Sequence, residues 1–101
     1  MTAARFSPRA EQDLNEIGSF IAKDNPDAAV RVRETILAVA DFLARHPEAG
    51  RRILKASARH AQIRWLVVPR YRNYLIFYQP YADTIVVIRV LHAAQDWTKY
   101  F

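Results

Sequence analysis

The feature that most restricts the fold of this chain is a change in its hydrophobic period at Gly50. Before Gly50, apolar residues recur at the spacing of one helix face. After it, apolar and polar residues alternate in short runs rich in β-branched and aromatic side chains, which is typical of strands. Helices followed by strands predict an α+β fold. Since a chain of 101 residues has length for one core, residues 1–101 are expected to form a single domain.

Both predicted helices begin with a capping side chain followed by proline. Ser7-Pro8 opens the first helix and Asn25-Pro26 opens the second, which ends at His46-Pro47. Serine and asparagine accept hydrogen bonds from the first turn, and proline fits the first helical position because no donor is needed there. Two amphipathic helices with a short connection predict an antiparallel hairpin. Their apolar stripes are Ala10, Leu14, Ile17 and Ile21, and then Ala29, Val32, Ile36, Val39, Ala40 and Leu43.

Three segments after Gly50 predict strands of an antiparallel meander, at residues 62–68, 71–78 and 84–91. A brief edge strand is expected at residues 3–6. The hairpin of helices is expected to pack on one face of this small antiparallel sheet. The last strand is apolar on both faces, so it is central or has its second face covered. Regular alternation places Val86, Ile88 and Val90 on one face, and Ile85, Val87, Arg89 and Leu91 on the other.

The positive charge of the chain is concentrated in one segment. The formal net charge is +5, but residues 45–72 carry eight basic side chains against the single acid Glu48, which gives +7 there and −2 elsewhere. Such a block attracts an acidic protein or a phosphate backbone through long-range electrostatics. It does not distinguish between these partners, and it is equally compatible with a solvated basic surface.

Other features of the composition exclude several kinds of site. The chain has no cysteine, so neither a disulfide framework nor a thiolate zinc site can form. His46, His60 and His92 share no ligand spacing, so neither a metal nor a cofactor is expected. No apolar run approaches the ~20 residues of a membrane span, and the first residues lack the apolar region of a signal peptide. A cytoplasmic protein without a membrane partner is therefore expected.

Five segments carry a resemblance to a known family. Residues 6–14 (FSPRAEQDL) resemble the first-helix signature of ParE-type toxins, residues 24–29 their interhelical turn, and residues 47–51 the segment leaving their second helix. Residues 73–78 (NYLIFY) and 89–96 (RVLHAAQD) are similar to their last two strands. Each segment alone is a weak signal. Together, in order and at the right separations, they identify the chain as a member of the RelE/ParE superfamily, closer to the ParE branch.

The resemblance implies the toxin of a type II toxin–antitoxin pair, neutralised in a hetero-oligomeric complex by an antitoxin that folds onto it. ParE-like members act on DNA gyrase and have no hydrolytic centre, whereas RelE-like members cleave messenger RNA in the ribosome. Arg89-Val90-Leu91-His92 followed by Asp96 resembles the ParE pattern, so gyrase is the favoured target. The alternatives are a RelE-like mRNA endoribonuclease and a non-toxic protein-interaction module, because the fold alone does not determine the function.

The ribonuclease alternative has its own candidate residues. Cleavage by 2′-hydroxyl attack needs a base, cations for the developing phosphate charge, and an acid for the leaving oxygen. By resemblance, Arg64, Arg89, His92 and Tyr100 would fill these roles. A histidine at a strand end is more often a hydrogen-bonded core or rim residue than a catalyst, so His92 has a structural interpretation as well.

A contact surface for the target or the antitoxin is expected on the sheet face opposite the helices. Arg64 and Arg89 are expected there, because arginine recognises phosphate and carboxylate groups. The alternative for Arg89 is a structural ion pair with Asp96 or Asp83. The antitoxin is expected to lay an acid-bearing amphipathic segment along the basic segment and this apolar face. The candidate contact residues are Arg51, Arg52, Lys55, Arg59, Arg64, Arg89, Trp97, Tyr100 and Phe101.

The C-terminal residues 96–101 form a tail with three aromatic side chains. Trp97, Tyr100 and Phe101 present too much apolar surface to remain loose in water. The tail is expected either to cover the sheet face that shows Val87 and Leu91 or to stay partly exposed as a target contact.

Overall fold

The computed structural model describes residues 4–53 and 58–101. No helix within these ranges combines the length and the apolar character needed to cross a membrane. The helices are α1 (Pro8–Ala22) and α2 (Pro26–Arg45); the strands are β1 (Arg5–Phe6), β2 (Arg51–Arg52), β3 (Arg64–Val67), β4 (Tyr74–Pro80) and β5 (Ile85–His92); and 3₁₀ segments span Ala58–His60 and Trp97–Tyr100.

The two helices begin at the caps that the sequence predicts. Ser7 Oγ accepts a hydrogen bond from the Ala10 N–H at 3.0 Å, and Asn25 Oδ1 accepts one from the Ala28 N–H at 3.0 Å. Proline occupies the first turn of each helix. The predicted helix hairpin is confirmed, because α1 and α2 pack against each other.

The described strands form one sheet in the order β1-β5-β4-β3-β2. The predicted meander of β3, β4 and β5 is confirmed, and the architecture is the expected α+β fold. Two details differ from the prediction. The sheet is mixed, because β1 runs parallel to β5. The strand β2, which pairs with β3, was not predicted, since two residues are too few to show an alternation.

A β-bulge in β5 reverses the predicted alternation of its side chains. Phe77 is opposite Arg89, but Tyr78 is opposite Val87, so Ile88 is an extra residue in β5. An inserted residue turns the following side chains to the other face. The expectation that Val87 shares a face with Leu91 is therefore wrong. Ser7 is attached to this bulge, because its Oγ donates to the Ile88 carbonyl at 2.9 Å.

The helices cover one face of the sheet. The buried residues of this core come from both helices and from the strands, and Ala10, Ile36, Ala40, Leu43, Ile76, Tyr78, Ile85 and Val87 are fully buried. Val90 belongs to the same core, because the bulge places it on the side of Ile85 and Val87. The apolar stripes predicted for the helices therefore face the sheet as expected.

A second, smaller core lies on the opposite face of the sheet and is covered by the tail. Ile63, Leu75, Phe77 and Leu91 are buried there. Trp97, Tyr100 and Phe101 pack against them and are half-buried, so the predicted packing of the tail is confirmed. Since both faces of β5 are covered, its apolar residues on either side are explained.

Tyr78 fixes the segment that connects α2 to the sheet. Its side chain is fully buried, and its hydroxyl donates to the Pro47 carbonyl and accepts from the Gly50 N–H, both at 2.8 Å. Burial raises the pKa of the Tyr78 phenol above its ordinary value, which keeps it a hydrogen-bond donor. This contact sets where the chain enters β2.

Candidate functional site

The sheet face opposite the helices carries a cluster of aromatic rings with cations at its rim. We call this surface the tail face. The Phe77 ring lies 4.8 Å from the Phe101 ring and 5.4 Å from the Trp97 ring, between ring centroids. Arg51 lies over the Trp65 ring at 6.0 Å. An arrangement of stacked rings and exposed cations can contact either a protein or a nucleic acid.

Arg89 forms a bidentate ion pair with Asp13 of α1. Its Nε donates to Asp13 Oδ2 at 2.8 Å, and its Nη2 donates to Asp13 Oδ1 at 3.2 Å. Asp13 Oδ2 also accepts from the Val90 backbone N–H at 3.0 Å. The expectation of an ion pair with Asp96 or Asp83 is therefore wrong. Those aspartates are nearer in sequence, but the packing of α1 along β5 brings Asp13 to the strand.

The same ion pair determines the electrostatics of Arg89. Hydrogen bonding to Asp13 raises the pKa of the Arg89 guanidinium above its ordinary value, so the group remains a cation. The Arg89 side chain is only 11% exposed. The register with Phe77 places it on the tail face, as expected, where its Cζ lies 4.5 Å from the Tyr100 ring centroid.

Arg64 does not lie on the tail face, so that prediction is wrong. It pairs in register with Tyr78, and opposed residues project to the same face, which here is the helix side. Its Nη1 donates to the Gly50 carbonyl at 2.8 Å and to the Glu48 carbonyl at 3.4 Å. Arg64 therefore binds backbone oxygens of the segment after α2, a role that the strand pattern did not indicate.

His92 makes local hydrogen bonds at the end of β5. Its Nδ1 accepts from the Ala94 backbone N–H at 3.0 Å, and its own backbone N–H donates to Gln95 Oε1 at 3.1 Å. Its ring meets the Tyr74 ring edge to face at 5.4 Å. These contacts agree with the structural interpretation of His92.

Of the candidate ribonuclease residues, the structure brings three near one another and leaves one apart. Arg89 and His92 line a cleft of about 100 Å³ beside β5, and Arg89 contacts Tyr100. Arg64 lies on β3, which β4 separates from β5, and on the other face of the sheet.

The remaining contact candidates are divided between the two faces. Arg51 is opposite Trp65 and lies on the tail face, whereas Arg52 is opposite Arg64 and lies on the helix side. Arg59 is exposed in a 3₁₀ segment. Lys55 lies outside the described residues. The predicted set is therefore not one continuous surface.

Asp13 is the functional candidate that sequence reasoning missed. It is 4% exposed, the only charged side chain that is buried in residues 4–53 and 58–101. The signal was present in the sequence, because Asp13 lies beside Ala10 and Leu14 in the apolar stripe of α1. A carboxylate at such a position needs a partner, although the sequence does not reveal which one.

An apolar groove lies between α2 and the end of β3. Thr35, Ala38, Val39 and Phe42 form its helical wall, and Leu66, Pro69 and Arg70 form the other. Its volume is about 390 Å³. Phe42 is 42% exposed, a high value for a phenylalanine beside a groove. We refer to this feature as the α2–β3 groove.

Comparisons with known proteins agree with this fold. The sequence model of the family described as "ParE toxin of type II toxin-antitoxin system, parDE" matches residues 4–97. Y4kP of Sinorhizobium fredii, a proposed toxin, is 39% identical over 95 residues, which are 94% of this chain and 92% of Y4kP. Toxin RelE3 of Caulobacter vibrioides is 30% identical over 96 residues, 94% of this chain and 98% of RelE3.

The solved structure of a chromosomal ParDE toxin–antitoxin system from P. aeruginosa matches the fold with a TM-score of 0.71 and 16% identity. The match covers 91% of this chain and 96% of the other. At this identity the likeness concerns the fold alone, whereas the family match and the curated relatives concern the sequence over almost its whole length. The chain belongs to the ParE toxin family of type II toxin–antitoxin systems.

Proposed function

We propose that this chain arrests growth by acting on DNA gyrase, and that a cognate antitoxin neutralises it in a hetero-oligomeric complex in the cytoplasm. The observation that carries the choice of target is the engagement of both candidate arginines. Arg89 uses two nitrogens on Asp13, and Arg64 uses Nη1 on backbone carbonyls. Cations held in this way are poorly placed to stabilise a phosphate during RNA cleavage.

A ribonuclease needs its acid, base and cations around one scissile bond. Arg64 and Arg89 lie on different strands and on opposite faces of the sheet, so one phosphate cannot contact both. The ribosome remains the second candidate target, because RelE3 is a relative and because Arg89 and His92 line one cleft. The tail face, with the exposed Lys99 beside Tyr100, is the proposed surface for gyrase.

The test compares two activities of the purified chain, with and without its antitoxin. We expect inhibition of DNA supercoiling by gyrase and no translation-dependent RNA cleavage. Replacing His92 by Gln should leave supercoiling inhibition within about twofold of the parent, whereas loss of a true acid or base costs roughly 10² to 10⁴-fold in rate. The variant must be shown to be folded by its thermal melting curve.

The opposite result has a definite meaning. If folded His92→Gln loses an RNA cleavage activity that the parent has, the ribosome is the target and the gyrase proposal fails. Expression in cells with and without the antitoxin provides the control for toxicity. No growth arrest in either case would indicate the non-toxic interaction module.

The α2–β3 groove is the proposed site for the antitoxin segment. The tail already covers the apolar sheet face where that segment was expected, so the segment needs another apolar surface. The groove offers one, and Arg70 in its wall belongs to the +7 segment of residues 45–72. An amphipathic segment that carries acids beside its apolar face is complementary to such a groove.

Two exposed phenylalanines allow a matched test of this site. Phe42 lines the groove, whereas Phe20 on α1 is 68% exposed and lies outside it. We expect Phe42→Ala to weaken antitoxin binding about 10- to 30-fold, measured by calorimetry, because buried aromatic anchors dominate interface energies. Phe20→Ala should leave the affinity unchanged. Association should also slow with added salt, and the heat-capacity change should be negative.

If Phe42→Ala and Phe20→Ala lose the same affinity for the antitoxin, the groove is not the antitoxin site. Association that does not depend on salt would remove its electrostatic part. Neither outcome affects the choice between gyrase and the ribosome, because that choice rests on the separate activity assays.

A further inference from the structure

The ion pair of Asp13 and Arg89 connects helix α1 to the C-terminal tail. Asp13 lies on α1, and the Arg89 guanidinium that it holds also lies over the ring of Tyr100 at 4.5 Å. Tyr100 belongs to the second core, on the face of the sheet that α1 does not cover. Arg89 thus contacts a group from each side of the sheet.

The geometry of the pair fixes the plane of the guanidinium. A carboxylate that accepts from both Nε and Nη2 leaves the planar group little freedom to rotate. Asp13 is itself held, because its Oδ2 accepts from the Val90 backbone N–H and its side chain is 4% exposed. The face of the guanidinium that Tyr100 meets is therefore set by a residue of α1.

We propose that Asp13 is a positioning residue for the tail: through Arg89 it determines where Tyr100, and with it the end of the chain, lies on the tail face. The consequence for toxicity rests on the proposed function, in which the tail face contacts gyrase. The coupling between Asp13 and the tail does not rest on it. The described contacts of its carboxylate are with Arg9, Arg89 and Val90, and of these three Arg89 is the one that contacts the tail.

The other contacts of the tail limit how far the loss of the Asp13 charge can spread. Trp97 packs on Trp65 and Phe77, and Phe101 stacks on Phe77, without involving Arg89. Among the aromatic residues of the tail, Tyr100 is the one that Arg89 contacts, so loss of the Asp13 charge should loosen the turn around Tyr100 more than it loosens the helices. The Phe101 backbone N–H donates to the Thr98 carbonyl at 3.2 Å and so closes the turn that contains Tyr100, which makes its exchange a suitable reporter of that turn.

The test is amide hydrogen exchange of the full chain, measured by NMR. In Asp13→Asn we expect exchange of the Phe101 N–H to accelerate about tenfold more than that of the core amides of α2. Arg9→Ala is the control, because Arg9 is 48% exposed and lies 3.7 Å from the same carboxylate. Arg9→Ala should change the exchange rate neither of the Phe101 N–H nor of the core amides of α2. Equal acceleration in α2 and in the tail would make Asp13 merely structural and overturn the proposal.

A second measurement covers the case in which Asp13→Asn fails to fold. Coupling between two groups is reciprocal, so a change in the tail must also change the mobility of the Arg89 side chain. Tyr100→Leu removes the ring and keeps Asp13, and we expect the Arg89 Nε–H to exchange several-fold faster. Tyr100→Phe keeps the ring face and removes only the hydroxyl, which also interacts with Arg89, so it should accelerate the exchange less than Tyr100→Leu does. An Arg89 Nε–H that exchanges alike in both variants overturns the proposal.

Supercoiling inhibition is the functional arm of the same experiment. If the parent inhibits gyrase, folded Asp13→Asn should inhibit it less while binding the antitoxin as before. If the parent does not inhibit gyrase, the proposed function fails, and the exchange measurements still decide whether Asp13 positions the tail.

Discussion

Deleting residues 97–101 is expected to lower the free energy of unfolding by about 3 kcal/mol, on the scale of removing one large aromatic residue from a core. The deletion removes Trp97, Tyr100 and Phe101, which cover the buried Phe77 and Leu91. It also removes the Tyr100 ring beside Arg89. The figure is below the sum for three buried rings, because all three are half-buried. Chemical denaturation of the parent and the truncated chain measures the difference.

A matched control separates packing from target contact. Lys99 and Thr98 are the exposed residues of the same 3₁₀ segment. Lys99→Ala should change stability by less than about 0.5 kcal/mol, as is usual for surface substitutions. If the truncated chain instead keeps its melting temperature and its antitoxin binding but no longer arrests growth, the tail is a target contact and contributes little to the fold.

The local elements were predictable because their signals are short-range. The caps Ser7 and Asn25 act within one helical turn, and the structure confirms both. The meander after Gly50 was predictable from alternation and turn residues alone. The bulge at Ile88 was not, because its hydrogen bond to Ser7 joins residues that lie 81 positions apart. One inserted residue was enough to place Val87 and Val90, which were predicted on opposite faces, on the same face of the sheet.

The sequence predicted which types of residue form the candidate site better than it predicted what those residues contact. The aromatic tail was expected to pack, and its composition was sufficient for that prediction. The sequence offers Asp83 and Asp96 as nearby partners of Arg89, whereas its partner in the structure, Asp13, lies on α1, 76 positions away. The strand pattern around Arg64 predicts the sheet face opposite the helices, but the register of β3 with β4 places Arg64 on the helix side, beside the carbonyls after α2. Pairings between distant segments depend on packing that a single sequence does not reveal.

The second large effect is expected at Gly50, where a methyl group has no room. A Cβ built there lies 2.6 Å from Tyr78 Oη, 2.7 Å from Tyr78 Cε1 and 2.9 Å from the Trp65 carbonyl oxygen. Gly50 has no positive φ, so close approach, and not backbone conformation, is what requires glycine. We expect Gly50→Ala to cost about 2–3 kcal/mol of stability, which is the range for overpacking a tight core.

Gly18 provides the matched control, because a Cβ at Gly18 meets nothing within 4 Å. In the interior of α1, Gly18→Ala should stabilise the chain by about 0.5–1 kcal/mol, since alanine loses less backbone entropy on folding. Both variants are compared by urea denaturation, with the parent in the same series. The same substitution is thus expected to have opposite signs at the two glycines of the chain. Equal effects at both would contradict the steric explanation.

Combining Gly50→Ala with Tyr78→Phe identifies which neighbour resists the methyl group. Phenylalanine lacks the hydroxyl that is 2.6 Å from the added Cβ, but the ring carbon at 2.7 Å and the backbone oxygen at 2.9 Å remain. The double variant should therefore recover only part of the stability that Gly50→Ala loses. The double variant also lacks the hydrogen bonds of the Tyr78 hydroxyl to the Pro47 carbonyl and the Gly50 N–H. Full recovery in a double-mutant cycle would mean that the hydroxyl alone causes the clash and that the Trp65 backbone can move aside.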